Sequence, residues 1–112
     1  MPGMSATERR PDRSPGGATA ASRERAHLLV TGVVQGVGFR WFVLERARSL
    51  ALDGTVRNRP DGSVEIAAEG PREALVRLVR SVLHGPPLAR VREVRARWGP
   101  AAGTPAGFHV VR

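Results

Sequence analysis

Six periodic segments in a fixed order constrain this chain more than any other feature of it. His27 to Val34 is an apolar, β-branched run that reads as a buried strand. After a break at Gly36 and Gly38, apolar residues recur at Phe39, Val43, Ala47 and Leu50, the stripe of an amphipathic helix reaching about Leu52 and stopped by Asp53-Gly54. Two short runs follow, Thr55 to Arg59 and Ser63 to Glu69, joined through Pro60-Asp61-Gly62. The Asp-Gly pair is a turn signal, so together they predict a hairpin. Its second arm alternates Val64, Ile66 and Ala68 with Ser63, Glu65 and Ala67, giving one mostly apolar face. Pro71 then opens a second amphipathic helix carrying Leu75, Leu78, Val79, Val82 and Leu83, and Gly85-Pro86-Pro87 closes it. Ala89 to Trp98 is strand-like, but its apolar parity shifts between Val91 and Val94, which predicts a bulge or a late strand start. A Gly-, Ala- and Pro-containing loop leads to a short extra strand from Phe108 to Val111.

The order β-α-β-β-α-β, with right-handed crossovers, gives an α+β ferredoxin-like sandwich: an antiparallel sheet with two helices on one face and a short C-terminal strand added. At 112 residues the chain suits one domain. Residues 1–24 are rich in Pro, Gly, Ser, Ala and Arg and too poor in apolar side chains to offset their ordering entropy, so they are expected to form a disordered tail before a domain at 25–112. Four arginines against three acids give that tail a charge of +1, leaving +7 of the total +8 on the domain. Such a balance favours anionic partners. All 18 basic residues are arginine, a usage that a GC-rich genome also produces, so the count itself carries no functional weight.

The absence of cysteine removes disulfides, thiol nucleophiles and thiolate metal sites from consideration. No apolar run approaches the roughly 20 residues needed to cross a bilayer, and no apolar leader segment follows the N-terminus, so a soluble cytoplasmic protein with no membrane partner is expected. His27, His84 and His109 are too scattered to suggest a metal site; Trp41, in the first helical turn, and Trp98, at a strand end, either border the site or pack, and packing is the first reading. Arg90, Arg92, Arg95 and Arg97 are read as a solvated strand face.

Chemistry concentrates in Gly32-Val33-Val34-Gln35-Gly36-Val37-Gly38-Phe39-Arg40, where two glycines stand between a strand and the first turn of a helix. Unpaired N–H groups and the helix dipole favour an anion there, and glycine lets a phosphate approach the backbone. Arg40 can add a bidentate guanidinium fork. The pattern matches neither the dinucleotide fingerprint nor the P-loop, and a tight turn followed by a solvated arginine would look the same. Asn58 shares strand parity with Val56 and so belongs to the helix side of the sheet. There its amide either satisfies itself against the following turn or holds a water.

Val34-Gln35-Gly36-Val37-Gly38-Phe39-Arg40, with Val56-Arg57-Asn58 and Asp61-Gly62-Ser63-Val64-Glu65, resembles the acylphosphatase family. The likeness continues through Ala68-Glu69-Gly70, Gly85-Pro86-Pro87 and Phe108-His109-Val110, covering about residues 25–112. It implies a small enzyme that hydrolyses the carboxyl–phosphate bond of acyl phosphates as a monomer, without metal or organic cofactor and with inorganic phosphate as product or inhibitor. By motif position, the backbone of Gln35, Gly36, Val37, Gly38, Phe39 and Arg40 resembles the family's phosphate cradle, Arg40 its phosphate-binding arginine and Asn58 its water-orienting asparagine. Thr55 departs from the family, which often has an aromatic residue there, so leaving-group preference or local packing is expected to differ. The second helix is aliphatic where a phenylalanine is common.

Two other readings share parts of the pattern. An RNA-recognition sheet has the same element order, but Ser63 to Glu69 lacks the aromatic platform that stacks bases, and no specific nucleic-acid partner is expected. A domain of this family that binds phosphate without turnover is the other.

Overall fold

A computed structural model describes residues 23–112. The expected tail lies outside the described residues up to residue 22, whereas Arg23 and Glu24, assigned to it above, are strand. Strand β1 spans Arg23–Val33. Its first residues are polar, which hid them from a hydrophobicity-based boundary, yet Arg23 reaches Asp53 at 2.7 Å and Glu24 accepts from Arg72 at 2.6 Å. Helix α1 follows at Phe39–Ser49, β2 at Asp53–Asn58, β3 at Val64–Pro71, helix α2 at Arg72–His84, β4 at Arg90–Pro100 and β5 at Phe108–Val110. The first helix ends three residues before the expected Leu52, because Ala51 takes a left-handed φ of 56° and turns the chain into β2.

The strand order is β4-β1-β3-β2-β5. Four strands are antiparallel, as the ferredoxin-like order requires, but β5 runs parallel to β2, so the sheet is mixed at that edge rather than wholly antiparallel. Leu28, Ile66 and Val56 stand on one row, and Ala26 with Ala68 and Val30 with Val64 on its neighbours. These fully covered residues form one core with Phe39, Val43 and Ala47 of α1 and Leu75, Leu78 and Val82 of α2. Burial of this face drives the fold. The other sheet face carries charge: Glu65 joins His27 at 2.6 Å to Arg57 at 2.6 Å. Arg90, Arg92, Arg95 and Arg97 are exposed, as read from the sequence.

The parity shift in the last long strand is a bulge. Thr31 faces Glu93 but Gly32 faces Val91, leaving Arg92 as the extra residue between Val91 and Val94.

Candidate active site

Val34 and Phe39, each 1% exposed, anchor both ends of the loop between β1 and α1 in the core. Between them Gly36 and Gly38 take φ of 75° and 80°, a conformation costly for residues with a Cβ. Gly38 is the N-cap of α1, no side chain caps the helix, and its first turn has no acid. The first-turn N–H groups and the dipole therefore face outward unneutralised. Arg40 is exposed and forms no ion pair with the other described residues.

The hairpin is bonded directly to this loop. The Gln35 side-chain amide donates to the carbonyls of Arg59, at 2.7 Å, and Ser63, at 2.8 Å. Those residues face each other one step beyond Asn58, which closes the β2–β3 ladder opposite Val64. The Asn58 Oδ1 is buried and accepts no hydrogen bond from the described residues. Asp61 shapes the turn: its carboxylate accepts from the Ser63 hydroxyl at 2.6 Å and the Ser63 backbone N–H at 2.9 Å. Those bonds, helped by Arg59, hold it below the usual carboxylate range.

Loop, helix and hairpin meet at a cleft of about 300 Å³. Its polar wall is Gly36, Gly38, Arg40 and Asn58; its apolar wall is Val34, Phe39, Trp41 and Val110. No carboxylate, imidazole or hydroxyl side chain lines it. Such a wall can bind an anion and orient a water, but it offers no general base. A larger hollow of about 500 Å³ beside the β4 bulge is lined by Thr31, Asp61, Arg90 and Arg92 and contains neither Arg40 nor Asn58.

Of the residues singled out in the sequence, the structure brings Gly36, Gly38, Phe39, Arg40 and Asn58 to one cleft. Gln35 and Val37 do not line it, and the Gln35 side chain is the clamp just described. Trp41 corrects the expectation of a packing residue: it is 62% exposed and forms part of the cleft wall. A signal for this was present, since at about 100° per residue Trp41 lies well off the Phe39, Val43 and Ala47 stripe. Trp98 is not a core residue either, but stands beneath the Arg72 guanidinium, 4.6 Å from the ring centre. Val110 had no local signal, because only the parallel seating of β5 brings it to the site. Thr55 alternates away from Asn58, pairing with Ala67 and His109, and does not line the cleft. No group of three or more potential metal ligands occurs among the described residues, and none of their helices is long and apolar enough to cross a membrane.

The acylphosphatase family model matches residues 26–110. An acylphosphatase of Thermococcus kodakarensis is 49% identical over 89 residues, which are 80% of this chain and 97% of the relative. One from Thermus thermophilus is 51% identical over 86 residues, covering 77% and 97% of the two chains. The crystal structure of acylphosphatase from Bacillus subtilis superimposes with a TM-score of 0.77 at 39% identity, covering 80% of this chain and 99% of that one.

Proposed function

The chain belongs to the acylphosphatase family, and from that premise we propose that it hydrolyses small acyl phosphates to a carboxylate and inorganic phosphate. The observation that carries the reading is the single cleft in which Gly36, Gly38 and Arg40 stand with Asn58, whose buried Oδ1 has no donor among the described residues. The loop N–H groups and the Arg40 fork hold the phosphoryl oxygens and stabilise the charge they carry in the transition state. Asn58 accepts a hydrogen bond from a water and orients its oxygen at phosphorus, in line with the departing acyl oxygen.

The water oxygen bonds to phosphorus as the phosphorus–acyl oxygen bond breaks, and the carboxylate leaves with the bonding pair. Its conjugate acid has a pKa of roughly 4 to 5, so no general acid is needed. With no base in the cleft wall, the water's proton passes to a phosphoryl oxygen of the substrate itself. Acetyl, carbamoyl and benzoyl phosphates all carry the reacting bond.

The test is hydrolysis of benzoyl phosphate by the purified protein, with a chelator present throughout, beside Arg40→Ala and Asn58→Ala. Each variant is expected to stay folded and to lose roughly 10²–10³-fold in kcat/KM, the scale of removing one preorganised transition-state contact. Arg40→Ala also weakens inhibition by phosphate, whereas Asn58→Ala leaves it nearly intact. Equal turnover by all three proteins would overturn the assignment, and a folded but inactive wild type would point to a phosphate-binding role.

A further inference from the structure

We propose that Trp41 is the acyl-group determinant of this site, selecting acyl phosphates with flat, apolar acyl groups over small or polar ones. The inference rests on the hydrolase reading for its substrate class. It adds which part of the substrate the second wall of the cleft recognises.

The two walls divide the substrate between them. Gly36, Gly38, Arg40 and Asn58 suit a phosphoryl group and a water, which leaves the acyl half to the rest of the cleft. There the floor is apolar and fully covered, while Trp41 and Val110 are 62% and 42% exposed. An indole left this open gains little for the fold. Neither cation–π contact among the described residues involves it: Arg46 stands over Phe42, and Arg72 over Trp98. Its ring is thus largely open to solvent, with no guanidinium of the described residues over it, one residue from the phosphate-binding Arg40. Aromatic rings in a concave site bind flat apolar groups by stacking and by excluding water. Thr55, the other candidate for substrate preference, stands on the opposite sheet face.

The experiment compares kcat/KM for benzoyl phosphate and acetyl phosphate in wild type, Trp41→Ala and Trp41→Phe. Trp41→Ala is expected to lower the benzoyl value roughly tenfold, the scale of one aromatic contact, mainly through KM, and to change the acetyl value less than about twofold. Trp41→Phe restores most of the benzoyl value. Proportional losses on both substrates, or no loss on either, would overturn the proposal.

Binding without chemistry separates its failure from that of the hydrolase reading. Binding of phenacylphosphonate and acetonylphosphonate, which replace the scissile oxygen by a methylene, is measured by isothermal titration calorimetry in wild type and Trp41→Ala. Tighter binding of the phenacyl compound, lost in Trp41→Ala, supports the role of Trp41 even if no acyl phosphate is hydrolysed. Equal affinity for the two phosphonates overturns it even in an active enzyme.

Discussion

Catalytic geometry in a site this small depends on single side chains whose only task is to fix others, and Gln35 is the clearest. Its amide reaches one carbonyl on each side of the hairpin end that carries Asn58. The loop between β1 and α1 and the hairpin end that carries Asn58 are therefore tied to one another. Both carbonyls also accept backbone N–H groups, Gly62 to Arg59 at 3.1 Å and Arg59 to Ser63 at 2.9 Å, so loss of the clamp does not orphan them. Gln35→Ala is accordingly expected to cost only about 1–2 kcal/mol in a urea titration. Its effect on kcat is larger, about tenfold or more, because a shift of an ångström between bound phosphate and water spoils in-line attack. Gln35→Glu is expected to be less stable than Gln35→Ala, since it aims a carboxylate at two carbonyl oxygens. Equal stability of both variants and wild type would show that the clamp does not hold the loop.

Among the elements, β2, which delivers Asn58, carries the tightest steric demand, and it falls at Gly54. At Gly54 the backbone has φ 145°, and a Cβ would stand 1.9 Å from the carbonyl oxygen of Ala67 on β3. That neighbour is backbone and cannot swing aside. Gly54→Ala is therefore expected to destabilise by about 3 kcal/mol or more, by thermal or urea unfolding, through displacement of β2 from β3. A loss below 1 kcal/mol would mean that the ladder yields there. In the sequence the Asp53-Gly54 pair reads as a helix stop and gives no hint of this contact. Element order, both helix stripes and the β4 bulge were legible because each is a local period or a break in one. That Arg40 and Asn58 belong to one cleft was legible through motif position and strand parity. The parallel seating of β5 was not, and Val110 was lost with it. Its register depends on Gly107, whose N–H bonds to Asp53 at 2.7 Å, and on a loop tied to Glu69, both distant in sequence.

Across the whole molecule the same two carboxylates, Asp53 and Glu69, paired on the inner strands β2 and β3, hold the loop that leads into β5, the strand that completes the cleft. Glu69 is only 1% exposed and accepts the backbone N–H groups of Ala102, Gly103 and Thr104, at 2.9, 3.1 and 3.1 Å, besides Arg25 at 3.1 Å. Burial pushes its carboxyl up, but those four donors outweigh burial and leave it below the ordinary value of 4.5. Glu65 is also held low, by His27 first and then by Arg57. A carboxylate whose pKa is depressed by folding stabilises the native state fully above its unfolded value. That contribution is lost as pH falls through the folded value. Stability is thus expected to hold from pH 7 to near 5 and then to fall, the more steeply because protonating acids leaves the arginines of a +8 chain unopposed. Glu69→Gln isolates one part of that fall. At pH 7 the variant is expected to be about 1–3 kcal/mol less stable, since a neutral amide accepts these four bonds less strongly. The gap should narrow below pH 4.5 and close once Glu69 is protonated in the wild type. Urea midpoints of both proteins between pH 7 and 3 measure it, and a gap independent of pH would mean that ionised Glu69 does not hold the loop in place.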